Sequence, residues 1–384
     1  MRFPGFLEEW KEATIGEAFE LYSGNTPSRL DKDNFVGDVI WITSGELKEH
    51  YIGDTKEHIS KSSVCDNHLR LLPVGTFVIA IYGLEADGIR GTGSITTKES
   101  TISQACMAFT PKMDISNEFL FSWYKKHGNI IGLKYAQGTK QQNISNDILE
   151  KFKIIYPDKN EQEKLTRFIE LIDQRITAQI GAIEDYKRLK GYLIDKLIKQ
   201  QDCTMKIGDV IAQKSERNRK GNDYTVLSVS NQKGFIAQSE QFEEREVASE
   251  DKSSYKIVRR DDFAYNPARI NVGSIARLIN YDCGIVSPMY ICFHADKCVL
   301  PEFLGYFFES RCFATEVDKR LEGSVRLCLS YDGLCDIPIQ IPDVEKQRAI
   351  IQKLDAVSQK IALEEQCLDL FKQQKTYLLK NMFV

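Results

Sequence analysis

The sequence predicts an α+β protein: two similar globular domains separated by two long antiparallel helices that form a coiled coil about a pseudo-twofold axis. Three observations predict it. Apolar residues recur in steps of three and four along a proline-free stretch. The same series returns near the C-terminus with the same two polar interruptions. The segments that precede the two series repeat one another in outline. The expected domains are 1–156 and 201–341, and the expected helices are 157–200 and 342–384.

The first seam runs through Leu165, Ile169, Ile172, Ile176, Ile183, Tyr186, Leu193 and Leu197, with its gaps at Gln179 and Lys190. The second runs through Ile350, Leu354, Val357, Ile361, Leu368, Phe371, Leu378 and Met382, with its gaps at Glu364 and Lys375. A narrow stripe of this kind is the seam of a coiled coil rather than the wider face of a surface helix. At about 1.5 Å per residue the stretch from Gln162 to Lys199 spans roughly 57 Å, too long to lie under one small domain. The flanks repeat as well: Pro157-Asp158 matches Pro342-Asp343, Gln162 matches Gln347, and Tyr192-Leu193 matches Tyr377-Leu378. Burying both seams requires the second helix to fold back along the first. One register opposes Lys190 to Glu364 and Gln179 to Lys375; its competitor is full end-to-end overlap.

In the first domain, short apolar runs at Val39–Ile42, Thr76–Ile81, Gly93–Thr96 and Ala105–Phe109 are bounded by Gly, Asn, Asp and Pro, and read as strands. Asn117–Lys126 reads as a short helix. A polar loop covers residues 137–143. A helical turn over Ile144–Glu150, with Ser145 as its N-cap, leads to a final strand at Phe152–Tyr156. The second domain follows after a short linker, 200–205. Lys206-Ile207-Gly208-Asp209 answers Thr14-Ile15-Gly16-Glu17, and Gly273-Ser274-Ile275 answers Gly93-Ser94-Ile95. Phe293 answers Phe109, Glu302-Phe303-Leu304 answers Glu118-Phe119-Leu120, and Ser330 answers Ser145. Between these anchors the copies diverge, most of all in 24–75 and 213–260. Two copies that keep their frames but differ inside share a fold and read different things.

Composition narrows the class. Apolar residues make up 42% and charged residues 28%, ordinary values for a soluble globular protein. No apolar run is long enough to span a membrane, and the first residues lack a signal-peptide core. The ten cysteines form no Cys-x-x-Cys pair, so a reducing, cytoplasmic setting is expected. The net charge of −4 argues against a globally basic nucleic-acid binder, so any grip on DNA must be local or shared with partners.

Catalytic and metal signatures are missing. Gly88-Ile89-Arg90-Gly91-Thr92-Gly93-Ser94 approaches a phosphate loop, but Ser94 stands where the lysine should be, and a tight turn is expected instead. Asn266-Pro267-Ala268-Arg269 lacks the second proline and the aromatic residue of an amino-methyltransferase motif; a loop that starts a strand is expected. The five histidines show no ligand spacing, and no catalytic or metal-ligating residue is assigned. What remains is a set of polar, partly basic loops. The DNA-binding candidates are Arg90, Lys134, Thr139, Lys140, Gln141 and Gln142 in the first domain. In the second they are Arg217, Arg219, Lys220, Asn266, Arg269, Lys319, Arg320, Ser324 and Arg326. The Lys125-Lys126-His127 turn is a further basic element. Arg, Lys, Gln and Asn are the side chains that hold phosphates and read base edges.

Phe3-Pro4-Gly5-Phe6 with Glu9-Trp10, the helix starts Pro157…Glu161-Gln162 and Pro342…Gln347, and the Gly138-Thr139 and Gly323-Ser324 loops together resemble the specificity (S) subunit of a type I restriction–modification system. The helix ends Lys187…Tyr192-Leu193…Leu197 and Lys372…Tyr377-Leu378…Met382 resemble it too. One departure is Glu345-Lys346-Gln347, where the family has adjacent Glu-Gln. The resemblance implies two target-recognition domains, each reading half of a bipartite site on double-stranded DNA. It implies helices that set the spacing and dock two modification (methyltransferase) subunits, with restriction (motor and nuclease) subunits outside. It also implies no chemistry and no cofactor on this chain: S-adenosylmethionine, ATP and magnesium belong to the partner subunits. Two other readings stand beside it, a methyltransferase or nuclease with atypical motifs and a purely structural coiled-coil adaptor.

Overall fold

The computed structural model describes residues 2–86, 88–136, 142–199, 204–231, 233–238, 252–323 and 326–383. The chain forms two compact units, Met1–Gln179 with Cys367–Val384, and Ile180–Gln366. Both long helices form: Lys159–Lys199, of 41 residues, and Val344–Met382, of 39. Each helix contributes one half to each unit, so that each unit holds a globular domain and a two-helix segment.

The helix starts follow from their sequence. Asp158 accepts from the amides of Asn160 and Glu161, and Asp343 from the amide of Lys346, which satisfies orphan donors of the first turn. Just inside lie Gln162 and Gln347, each fully buried. The Gln162 amide donates to the carbonyls of Asp114 and Pro157, and its Oε1 accepts from the Ser116 amide, at 2.9 Å in all three cases. Gln347 donates to Cys298 and Pro342 at 2.9 Å and accepts from the Leu300 amide at 2.8 Å. The same three bonds at matching positions tie helix to domain in both units. Glu161 explains the departure at Lys346. It is buried against the N-terminal arm, where it accepts two bonds from Arg2 and one from Trp10. Lys346 is exposed and pairs with the capping Asp343.

In the first unit a five-stranded sheet is ordered Phe19–Ser23, Cys106–Pro111, Phe77–Ala80, Gly93–Thr96, Tyr51–Ile52. A three-stranded sheet is ordered His58–Ile59, Val39–Ile42, Ser100–Ile102, and a two-stranded one joins Lys11–Thr14 to Lys153–Tyr156. In the second unit the corresponding sheet has four strands, ordered Ile211–Lys214, Ile291–Ala295, Phe263–Tyr265, Ile275–Arg277. Another is ordered Gly234–Ala237, Val226–Ser230, Cys283–Val286, Lys256–Arg259, and Thr204–Lys206 pairs with Pro338–Gln340. The linker expected over 200–205 therefore ends early, in a strand; residues 200–203 lie outside the described set.

The duplication holds in detail. The Ile15 amide donates to Phe152 and the Ile207 amide to Ile337. A Cβ on Gly16 would meet Glu150 at 3.0 Å, and one on Gly208 would meet Cys335 at 2.8 Å, so glycine is needed at the same close approach in both copies. Phe77 lies opposite Phe109, and Phe263 opposite Phe293. That register corrects one expected match. Phe77 also faces Ile95, while Phe263 faces Arg277, so Arg277 answers Ile95. Gly273, with φ +85°, then answers Gly91, with φ +71°, rather than Gly93. The shared feature is the left-handed turn, which a residue-by-residue match of Gly-Ser-Ile misses.

Other expectations shift. The helix expected over Asn117–Lys126 continues to Tyr135; Gly128 gives room for the ring of Tyr124, one turn earlier, and Gly132 for the Arg90 stem that packs on the helix. Asn266–Arg269 does not start a strand; it follows Phe263–Tyr265 and leads into a 3-10 turn at Ile270–Val272. The glycine-rich run is a turn and a strand, as expected, with Ser94 buried and bonded to the Glu49 carbonyl.

None of the seam residues is exposed. Leu165, Ile169, Ile172, Leu378 and Met382 join the first domain's core, as do Ile350 and Leu354 the second's. Near the end of the first helix the buried face rotates: Ile194 and Ile198 are buried, while Leu193 and Leu197 are half-buried. The antiparallel contacts overturn the register built on Lys190–Glu364 and Gln179–Lys375. In the first unit Lys375 reaches Asp173, and Arg175 lies 4.2 Å over the Phe371 ring. In the second, Lys187 meets Glu365, Lys360 lies over Tyr186, and Lys190 leaves the seam for Glu309. These pairs fit the end-to-end overlap. Long lysine side chains bend out of the seam to an acid, so polar seam positions need no polar residue opposite.

Replacing Gln347 by Leu strands the Leu300 amide and the Cys298 and Pro342 carbonyls. At about 1–3 kcal/mol for a buried group left unpaired, the second unit loses roughly 3 kcal/mol or more. Denaturant unfolding followed by amide exchange should place this loss at Leu300 and its neighbours. Gln162→Leu should place the same loss at Ser116.

Candidate nucleic-acid interface

The polar loops are held by one repeated backbone bond. In the first unit the Ile144 amide donates to the Ile81 carbonyl at 3.0 Å; in the second the Leu329 amide donates to Pro267 at 3.1 Å. By the strand register these are equivalent positions. Each bond fastens the loop before the last short helix to the turn after a central strand. The fold thus brings Arg90 to Gln142, and the Asn266–Arg269 turn to the segment carrying Arg326. Thr139, Lys140, Gln141 and Ser324 lie outside the described residues.

The two copies use this arrangement differently. Arg90 donates to Gln142 Oε1 at 2.9 Å, and its stem lies on Gly132, where a Cβ would meet Arg90 Cγ at 2.5 Å. The Gln142 amide donates to the Glu85 carboxylate at 2.8 Å. That bond is the main reason the Glu85 carboxyl is held below the usual carboxylate range. Arg90 and Gln142 therefore hold each other. Lys134, on the same helix as Gly132, is exposed, with no ion pair or hydrogen bond among the described residues.

Lys125, Lys126 and His127 are not a basic turn. Lys125 lies 5.0 Å over the Phe121 ring, Lys126 donates to the Phe383 carbonyl, and His127 bonds the Trp123 carbonyl at 2.9 Å. Burial pushes all three pKa values down. A helix that continues past Lys126 turns these groups toward the protein instead of toward solvent.

In the second unit Asn218 is buried, donating to the Asn222 carbonyl at 2.9 Å and accepting from its amide at 3.0 Å. Its own amide donates to Tyr255. This rigid turn leaves Arg217, Arg219 and Lys220 exposed, their side chains without a partner among the described residues. Arg269 and Arg326 are likewise exposed and unpaired among the described residues. Asn266 spends its Oδ1 on the Ala268 amide, which shapes the turn. Lys319 and Arg320 pair with Glu316 of the Arg311–Asp318 helix that they follow, and Arg320 donates to the Asp336 carbonyl. Of the larger set read from the sequence, the described cations left for a polyanion are Lys134, Arg217, Arg219, Lys220, Arg269 and Arg326.

Burial pushes the Cys106 and Cys292 thiols up to about 12, which keeps them protonated. Among the described residues no group of three or more His, Cys, Asp or Glu is placed to hold a metal ion, and no helix is long and apolar enough to cross a membrane.

One feature was not singled out from the sequence. A cleft of about 800 Å³ in the second unit lies between the Ile275–Arg277 strand, the Pro301–Phe308 helix and the long helices, with Lys190 and Asp355 on its wall. Its signal was present: Gly305 stands where the first copy has Phe121.

The sequence profile of the family described as "Type I restriction modification DNA specificity domain" matches residues 7–184. The chain is 26% identical over 173 residues to the type I restriction enzyme MjaIX specificity subunit of Methanocaldococcus jannaschii, a match covering 44% of this chain and 39% of that protein. It is 24% identical over 168 residues to the EcoR124I/EcoR124II specificity subunit of Escherichia coli, covering 43% and 41%. The chain thus spans about two-fifths of the length of these relatives. Among solved structures it is similar to a type I restriction–modification S subunit from M. genitalium, with a TM-score of 0.55 and 15% identity over 100% of this chain and 97% of the other. A chain from work on assembly and conformational transition of the type I R-M system gives a TM-score of 0.64 at 14% identity, covering 97% of both. At such identities the likeness concerns the fold.

Arg90→Ala removes the bond to Gln142 Oε1 and the cover over Gly132. The expected cost is about 1 kcal/mol, since Arg90 is only half-buried. Amide exchange should speed up at Gln142 and Ile144 and leave Leu329 unchanged.

Proposed function

We propose that the whole chain is a DNA-sequence-specificity subunit, on the premise that residues 7–184 match the type I restriction–modification DNA specificity domain model. Each globular domain reads one half of a bipartite site on double-stranded DNA. The long helices, about 60 Å each at about 1.5 Å per residue, set the spacing of the half-sites. Their exposed faces dock two modification subunits, and restriction subunits join the assembly. The chain itself makes and breaks no bonds; S-adenosylmethionine, ATP and magnesium act on the partners. The protein works in the cytoplasm, where its DNA is.

The observation that carries this reading is the same frame bearing different loops. The glutamine ties, the glycine approaches and the loop-fastening bonds recur, while Arg90 and Gln142 hold each other in one copy and Arg269 and Arg326 have no partner among the described residues in the other. A frame held constant under divergent surfaces is what two readers of unlike half-sites require. With a net charge of −4, unpaired cations concentrated on a few loops supply local phosphate contacts, and partner subunits add the rest.

Changing Arg217, Arg219 and Lys220 together to Ala should weaken DNA binding by the complex with modification subunits and leave folding intact. The slope of log affinity against log salt should drop by about 0.9 for each phosphate that is no longer neutralised. An unchanged slope would remove this turn from the interface. The reading as a whole is tested by exchanging residues 17–136 for those of a relative and mapping methylated adenines. One half of a split motif should change. A change in both halves, or a motif that is not split, counts against independent readers.

A further inference from the structure

The two units differ at the edge of their central sheet. In the first unit the strand Gly93–Thr96 is covered by a fifth strand, Tyr51–Ile52. The Ile95 amide donates to the His50 carbonyl and the Thr97 amide to Ile52, both at 2.8 Å. The His50 ring is sandwiched between Tyr51 and Phe121, 4.1 and 3.9 Å from their centroids. Glu118 accepts from His50 at 2.9 Å and from the Tyr51 hydroxyl at 3.1 Å. Desolvation, with the Glu118 charge next, pushes the Tyr51 phenol up to about 12.

In the second unit the equivalent strand, Ile275–Arg277, is the last of its sheet. Leu278 bonds Asp262 and Asn266 bonds Ser274, so the alternation of an antiparallel ladder turns the Arg277 amide away from its neighbour strand. That amide answers the one on Ile95 and has no acceptor among the described residues. Gly305 replaces Phe121, and a Cβ there would meet nothing within 4 Å. The result is the cleft of about 800 Å³. Arg277 lines it, with Nη1 buried 2.6 Å from Glu302 but with no directed hydrogen bond.

We propose that this cleft binds an extended segment of a partner protein, which adds as a fifth strand along Ile275–Arg277 and places an aromatic side chain over Gly305. The backbone carbonyl of the segment accepts from the Arg277 amide, as His50 does from Ile95. Its aromatic side chain takes the space that His50 and Phe121 fill in the first unit. Strand addition of this kind draws affinity from main-chain bonds and specificity from the side-chain pocket. A nucleic acid fits poorly. Lys190 is paired with Glu309 and Arg277 with Glu302, a third acid, Asp355, accepts from Tyr306, and of the three cations on the wall Lys233 alone has no ion pair among the described residues, so the acids outweigh the cations left for phosphate.

Occupancy of this cleft does not depend on DNA binding, and its test uses no DNA. Two dye-labelled peptides copying residues 47–54, one unchanged and one with His50→Phe, are titrated into the full chain. Binding is followed by anisotropy and by amide exchange at Arg277. The expected result is saturable binding, tighter for the Phe peptide, with Arg277 exchange slowed at least fivefold. Gly305→Phe restores the ring on which His50 stacks in the first unit, so it should reverse the preference, the unchanged peptide then binding tighter than the Phe peptide; Gly305→Leu, used if circular dichroism shows that Gly305→Phe does not fold, should weaken the Phe peptide at least tenfold. No saturable binding of either peptide, a Phe peptide that binds as tightly to the filled pocket, or unchanged exchange at Arg277 would each overturn the proposal.

Discussion

A glutamine with no exposed surface begins each long helix, and the architecture depends on those two side chains. An amide offers a donor and an acceptor from one planar group, so it can bind two carbonyls and one N–H together. Gln162 and Gln347 do this at matching places, tying the helix start to the end of a domain segment. Buried backbone groups left unpaired would each cost about 1–3 kcal/mol, so this junction tolerates few other residues. With the helix start fixed to its domain, the seam that follows inherits a fixed direction. The halves of the two helices in each unit then extend the domain core, with Leu165 and Met382 in one and Leu354 and Ile198 in the other.

The copies spend their polar residues differently around that common junction. The first encloses Arg90, Lys125, Lys126 and His127 within itself and covers its sheet edge with Tyr51–Ile52. The second leaves Arg217, Arg219, Lys220, Arg269 and Arg326 unpaired among the described residues and its sheet edge bare. A basic side chain is thus informative only with its surroundings. Lys319 and Arg320 look like Arg217 and Arg219 in a sequence, yet Glu316 neutralises the former and the rigid Asn218 turn presents the latter.

The parts legible in the sequence were those that depend on period and repetition. The two long helices, the strands at Val39–Ile42 and Gly93–Thr96, the matching helix starts and the turn character of residues 88–92 all follow from local pattern. The helix beyond Lys126 was hidden because Gly128 and Gly132 lower helix propensity, and the reason to keep them is the Tyr124 ring one turn earlier and the Arg90 stem from outside the helix. The match of Gly273 to Gly93 failed because identity of residues was followed where identity of backbone turn was what had been kept.

By itself the sequence determined that a domain and its helix occur twice, that the helices are long and seamed, and that any grip on DNA must be local, because periodicity, duplication and net charge are properties of the chain alone. Only the tertiary structure decided the helix register, which basic residues lack a partner among the described residues, and which sheet edge pairs with no described strand. Each of these depends on partners distant in the chain: Asp173 for Lys375, Glu309 for Lys190, Gln142 for Arg90, and the space left over Gly305 where the first copy places Phe121.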